Sequence, residues 1–209
     1  MDTFSTGAMV SFGRETFKKR SWFFIGVTLL VAIVSGISAG IGSSFGHVGP
    51  AQGIGSIINF LLGTLVGLGV TAFFLKAHDS VNTVLSNDLW HPQQFINYLA
   101  TRLLTGVVFI IGLILLIVPG VMAGLMFMFA PYIVVDKGLG PVEAMRESKR
   151  ITDGHKWSLL GLVAVLALIN ILGLICLIVG LLVTVPITSL ALVHAYRTLS
   201  AHTHPHAAA

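Results

Sequence analysis

The chain has 209 residues, of which 55% are apolar and only 10% charged, and its mean hydropathy is +0.93. A soluble surface of that size needs about a quarter of its residues charged, so the composition excludes a soluble globular domain and points to an integral membrane protein. The net charge of +4 comes from basic residues clustered beside apolar runs, where they meet anionic lipid headgroups rather than nucleic acid.

Residues 1–20 form an N-terminal interfacial segment, with Phe12 and Phe17 apolar and Lys18, Lys19 and Arg20 basic. The apolar stretch that follows from Trp22 is too long for a signal-peptide h-region and reads as the first span. Three uncharged blocks then run from 21 to 75, 103 to 135 and 157 to 196. Even the shortest, as a single helix, would reach about 50 Å against a hydrocarbon core of about 30 Å. Each carries turn chemistry near its middle: Gly46-His47-Val48-Gly49-Pro50, then Pro119-Gly120, then Gly173 to Gly180. Proline removes a helix donor and glycine reaches left-handed conformations, so the chain reverses there at least cost. The prediction is an all-α membrane protein of six spans in three hairpins, assigned to 21–75, 103–135 and 157–198.

Charge supports the hairpins. If the second block crossed once, Lys137, Arg146, Lys149, Arg150 and Lys156 would face the side opposite Arg14, Lys18, Lys19 and Arg20, against the positive-inside rule. With three hairpins all twelve Lys and Arg residues fall on one side. The expected location is the cytoplasmic (inner) membrane, multi-pass, with both termini cytoplasmic. The arms of the second hairpin, about 16 residues each, reach about 24 Å, which leaves open a full crossing of a thinned bilayer and a partly re-entrant hairpin.

The connectors, 76–102 and 136–156, are patterned as helices. After Ser86-Asn87-Asp88, Pro92 opens a segment in which Phe95, Ile96, Leu99 and Leu103 recur at helical spacing, an interfacial helix leading into the third span. Pro141 opens a second, with Val142, Met145 and Ile151 apolar-facing and Glu143–Arg146 and Glu147–Arg150 at i,i+3 spacing. Lys19-Arg20-Ser21-Trp22 followed by Gly26 parallels Gly154-His155-Lys156-Trp157 followed by Gly161, and Leu103-Leu104-Thr105-Gly106 echoes Leu159-Leu160-Gly161, which suggests three copies of interfacial helix plus hairpin. Lys18, Lys19, Arg20, Arg146, Lys149, Arg150 and Lys156 make a basic collar for anionic headgroups, or serve only as positive-inside flanks.

Candidate chemistry is sparse. The blocks hold no Asp, Glu, Lys or Arg, the usual mark of an ion or proton pathway; His194, His78 and Asp79 lie nearest. Asn59 and Asn170 are the strongest polar groups within the blocks and either line a path or bond neighbouring helices, while Pro186 interrupts the sixth span. Gly36 with Gly40 and Gly63 with Gly67 put small residues one turn apart, a pattern for close helix packing. No catalytic motif is present, and neither a cofactor nor a metal site is expected. The single Cys176 permits no intrachain disulfide, and the tail 199–209, with its spaced histidines, reads as flexible.

The stretch FAPYIVVDKGLGPVEAMRESKRITDGHKWSLLG, Phe129 to Gly161, resembles the YciC-like bacterial six-span proteins and the membrane domain fused to some glycerophosphodiester phosphodiesterases. The resemblance rests on Pro131, Asp136, Gly138, Gly140, Pro141, Ala144, Ser148, Gly154 and Trp157, with Pro119-Gly120 before them. It implies a helical membrane domain. Physically, Asp136 ends a span at the interface, Gly138 and Gly140 permit a sharp turn, and Pro141 starts an interfacial helix. The functional expectation is a non-enzymatic membrane module that meets lipids, a membrane partner or a second copy of itself. The alternative is a small permease or export component for a neutral or amphiphilic substrate.

Overall fold

The computed structural model describes residues 5–44, 50–79, 92–115, 117–176 and 180–203, and among them helices and short turns account for the chain, with no strand. The helices are α1 (Thr6–Lys19), α2 (Ser21–Ser44), α3 (Pro50–Asp79), α4 (Pro92–Leu115), α5 (Ile117–Phe127), α6 (Ala130–Lys137), α7 (Pro141–Thr152), α8 (Lys156–Ile175) and α9 (Leu181–Thr203). Among the described residues six segments are long and apolar enough to cross a membrane: Ser21–Gly40, Gly53–Asp79, Gln94–Ile114, Val118–Lys137, Lys156–Ile175 and Leu181–Ala201. The expected turns at 46–49 and Ser86-Asn87-Asp88, and the tail from 204, lie outside the described residues.

The second block is a hairpin, but its reversal is not at Pro119-Gly120. Helix α4 ends at Leu115 and α5, beginning at Ile117, already contains Pro119 and Gly120. Pro119 sits in the first turn of α5, where its missing N–H leaves no helical bond unmade. Gly120 instead lets the two arms touch: a Cβ on Gly120 would stand 2.7 Å from the backbone nitrogen of Leu113, and one on Gly112 2.8 Å from the Gly120 Cα. Gly173 and Gly180 face each other in the same way at the tip of the third hairpin.

The segment opened by Pro92 is continuous with the third span rather than a separate interfacial helix. Spans three and four therefore hold 21 and 20 residues, about 30 Å each at helical rise, which matches a full hydrocarbon core. The extra length brings charge into the span helices near one end, including Arg102, which lies over the Tyr98 ring at 5.7 Å.

Span four is itself broken at Met128–Phe129, between α5 and α6, with Pro131 in the first turn of α6. The break leaves the Met126 carbonyl without its helical donor, and α7 supplies one. The Ser148 hydroxyl donates to Met126 O at 2.7 Å, and Thr152 approaches the same oxygen at 3.4 Å. Helix α7 is thus docked on the bundle through Ala144, Ser148, Ile151 and Thr152, while Val142 is exposed. Gly138, in the left-handed region at φ 64°, makes the turn into it, and the Glu143 carboxylate accepts from the Gly140 N–H at 3.4 Å.

The buried core lies at the charged end. Phe24, Phe74, Tyr98, Phe129, Ile133, Leu159, Leu190 and Tyr196 fill it. Helix α1 joins that core by burying Met9, Gly13, Thr16 and Phe17, and its Gly13 presses on the Ile187 carbonyl of α9. Toward the tips the arms are clad in exposed apolar side chains such as Leu30, Ile57, Ile114 and Leu172.

Ser148→Ala should therefore lower the unfolding midpoint of the detergent-solubilised protein, at a cost of about 1–3 kcal/mol for a buried carbonyl left unsatisfied. Ser158→Ala, at an exposed position of α8, is the control and should be neutral. Equal midpoints for the two variants would remove Ser148 from the docking of α7.

Candidate functional site

The ends of three helices from three different hairpins meet in one polar cluster. Asp79 is the last residue of α3, Asp136 the penultimate residue of α6, and Arg197 lies in α9. Arg197 donates from one terminal nitrogen to Asp136 at 2.9 Å and from the other to Asp79. The Tyr196 hydroxyl donates to the same Asp136 oxygen at 2.7 Å. Each carboxylate is satisfied by charge-assisted bonds, which lets them sit at the edge of an apolar core.

The cluster continues through two imidazoles. His78 Nδ1 lies 3.1 Å from Asp79 Oδ1, and His78 Nε2 lies 3.0 Å from His194 Nδ1. With Asp79 accepting from Nδ1–H of His78, its Nε2 is left to accept from His194, so one neutral tautomer of each ring satisfies the row. Phe12 of α1 stacks on His194, ring centroids 4.0 Å apart and 9° from parallel. Helix α1 is therefore attached to the same row that ties the hairpins.

Beside Arg197 a cavity of about 230 Å3 is lined by Ala72, Leu75, Lys76, Asp79, Gln94, Val135 and Asp136. Its walls are half apolar, half polar, and offer an amide and an ammonium next to two carboxylates already engaged with a guanidinium. Such a lining can hold a small polar group or water. Deeper in the bundle, Tyr98 and Thr71 bring their hydroxyls to 3.2 Å, and Gly67 makes room for them: its Cβ would lie 3.1 Å from the Tyr98 hydroxyl and 3.3 Å from the Arg102 guanidinium.

The residues singled out from the sequence are distributed as follows. Asn59 is exposed on α3, whereas Asn170 of α8 donates to Thr188 of α9 at 3.3 Å, so the two are not brought together. Pro186 is buried within α9, one residue before the Ile187 carbonyl that receives Gly13. At Gly36, Gly40 and Gly63 a Cβ would meet nothing within 4 Å; of the four paired glycines Gly67 is the one in a tight contact. In the collar, Lys18, Lys19, Arg146 and Lys149 are exposed, Arg20 lies over the Phe23 ring, Arg150 pairs with Glu147 and Lys156 with Asp153. The Lys156 hydrogen bond holds the Asp153 carboxyl below its usual range, so that pair persists at neutral pH and is lost only as pH falls through the lowered value. Trp157, like Trp22, projects outward at the start of a span.

Arg197 and Tyr196 were not predicted as site residues, and Asp136 was expected only to end a span. A signal was available. Asp136 and Arg197 are the first formal charges after the second and third uncharged blocks, and Asp79 follows the first closely. Opposite charges that end successive hairpins on one side of a membrane are candidates to pair.

Residues 105–203, less than half of the chain, match the model of a family described as "Protein of unknown function (DUF975)". The chain is 29% identical over 156 residues to "Uncharacterized protein Rv2560" of Mycobacterium tuberculosis, and 28% identical to "Uncharacterized protein Mb2590" of Mycobacterium bovis. Each match covers 72% of this chain and 47% of the relative, so the chain spans about half the length of the curated relatives it matches. No solved structure matches. The similarity is thus to uncharacterised proteins, and neither the matched family nor these relatives carry a YciC-like or phosphodiesterase description.

Asp136→Asn should destabilise the detergent-solubilised protein by about 2 kcal/mol, because it unpairs a mostly buried bond network. Asp79→Asn, at a half-exposed carboxylate, should cost about 1 kcal/mol or less. Combining Asp136→Asn with Arg197→Gln should be less costly than the sum of the singles; strict additivity in that cycle would deny the bridge.

Proposed function

We propose that this chain is a non-enzymatic integral membrane module that works by contact with lipids or membrane partners, with its charged end in the cytoplasm. The observation that supports this reading is the separation of core from arms. Side chains are tightly buried at the charged end, while toward the tips Ile114 and Ile175 are 78% and 72% exposed. Fully exposing one such side chain to water costs about 1.5–3 kcal/mol, so these arms require an apolar surrounding. An apolar groove of about 290 Å3 between α2 and α3, lined by Val27, Val31, Val34, Val66, Val70 and Phe73, offers such surface to an acyl chain.

The charged groups of the cluster bond chiefly to one another, which favours a fastening role over one in turnover. The resemblance to YciC-like membrane domains suits the same reading. The alternative of a permease or export component draws on Asn59, Asn170, the Pro186 interruption and the repeated hairpins; Asn59 is exposed while Asn170 is bonded to Thr188, which favours the contact reading over a polar path built on these two.

Two measurements test this. In a Cys176→Ser background, Val118→Cys at a hairpin tip should react with a membrane-impermeant maleimide in intact cells, and Glu143→Cys on α7 only after permeabilisation; external labelling at 143 would invert the orientation. Protein extracted with its surrounding bilayer should retain lipid or a membrane partner and leave phospholipids chemically unchanged. Sustained hydrolysis or group transfer by the purified chain would overturn the non-enzymatic reading.

A further inference from the structure

A groove of about 550 Å3 separates the polar face of α1 from α8. Ser11, Arg14, Glu15 and Lys18 line one wall, and Val165 of α8 forms part of the other. The opposite face of α1 is committed to the bundle, with Gly13 locked against the Ile187 carbonyl, so the helix cannot rotate these charges elsewhere. Arg14, Glu15 and Lys18 are exposed and make no ion pair with another described residue.

Depth makes this placement informative. Val165 lies eight residues beyond Trp157, whose 79% exposure at the start of α8 suits an interfacial anchor. At helical rise that is about 12 Å further along α8, on the apolar length of the span, whereas Phe12, two residues before Arg14, stacks on His194 at the charged end. The groove thus runs from the charged end toward the apolar arms, and its charges call for a counter-charge that a bilayer can deliver. Beyond Val165, α8 presents Leu168, Leu172 and Ile175, three, seven and ten residues on and therefore on one face, all exposed. They extend the groove as an apolar stripe about 15 Å long.

A polar box of net charge +1 continuous with an apolar stripe has the shape of a phospholipid. We propose that this groove binds an anionic phospholipid, its phosphate held by Arg14 and Lys18 and an acyl chain laid along Val165, Leu168, Leu172 and Ile175. The guanidinium and ammonium, one helical turn apart, supply charge-assisted bonds to the phosphate oxygens. Glu15 in the same wall repels a second negative charge, so the site selects singly charged headgroups over multiply phosphorylated ones. The inference rests on the lipid-contact reading above and gives it a location.

Native mass spectrometry of the full chain, presented with equal phosphatidylglycerol and phosphatidylcholine, tests it. Wild type should retain phosphatidylglycerol about tenfold better, a difference of about 1.4 kcal/mol. Arg14→Gln with Lys18→Gln should bring the ratio near one, while Lys137→Gln, at a lysine outside the basic collar and paired with Glu147, should leave it unchanged. Leu168→Glu, which puts a carboxylate on the stripe without touching α1, should also lower retention. Circular dichroism confirms that each variant is folded. Equal loss in the Lys137→Gln variant would overturn the site while leaving lipid contact standing. No phosphatidylglycerol preference in wild type would overturn the site, and retention of neither lipid would overturn the lipid-contact reading with it. Displacement of the lipid by millimolar inorganic phosphate would overturn the acyl-chain half of the proposal.

Discussion

Arg197 bridges Asp79 and Asp136, and through that bridge the second arms of three hairpins are held together at the charged end. Apolar helices in a bilayer gain little from one another by the hydrophobic effect, because lipid tails are as apolar as leucine. Polar bonds at the ends therefore carry much of the specificity of how the hairpins meet. The arginine fork suits this position, since its two terminal nitrogens reach two carboxylates at once. Tyr196, His78 and His194 extend the bridge, and Phe12 stacked on His194 brings α1 into register with it.

Toward the tips, each of the second and third hairpins is closed by contact between its own arms. Gly112 against Gly120 and Gly173 against Gly180 let paired arms approach to backbone contact near the tips. The result is a molecule packed like a soluble protein at its charged end and clad in exposed apolar side chains along its arms. Exposed Trp22 and Trp157 stand at the boundary between the two regimes, where an aromatic ring with one polar atom is best placed.

The stretch from Pro131 to Trp157 gains a physical explanation from the break in span four. The break frees the Met126 carbonyl, Gly138 turns the chain back, Pro141 starts α7, and Ser148 returns a donor to that carbonyl. Ala144 is fully buried beside it, where a larger side chain would hold the two helices apart. Asp136 belongs to both systems, ending the broken span and anchoring the Arg197 bridge. This one segment thus couples the shape of the second hairpin to the fastening of all three.

The number of spans and their pairing in hairpins followed from the sequence alone, because uncharged length set against bilayer thickness is a one-dimensional constraint that local composition satisfies. Turn positions were only partly legible. Proline and glycine mark both a reversal and the first turn after one, so Pro119-Gly120 was read as the reversal when its glycine in fact serves a contact across the hairpin. The continuity of the Pro92 segment with the third span was hidden by Arg102, a charge that packing over Tyr98 accommodates. For the intramembrane glycines and asparagines, identity is legible in the sequence and orientation is not: Gly67 receives Tyr98 and Arg102 while Gly36 faces open space, and Asn170 is bonded while Asn59 is exposed. The Arg197 bridge joins residues 61 and 118 positions apart. Such a contact depends on the rotation and height of whole helices relative to one another, which only the tertiary packing sets.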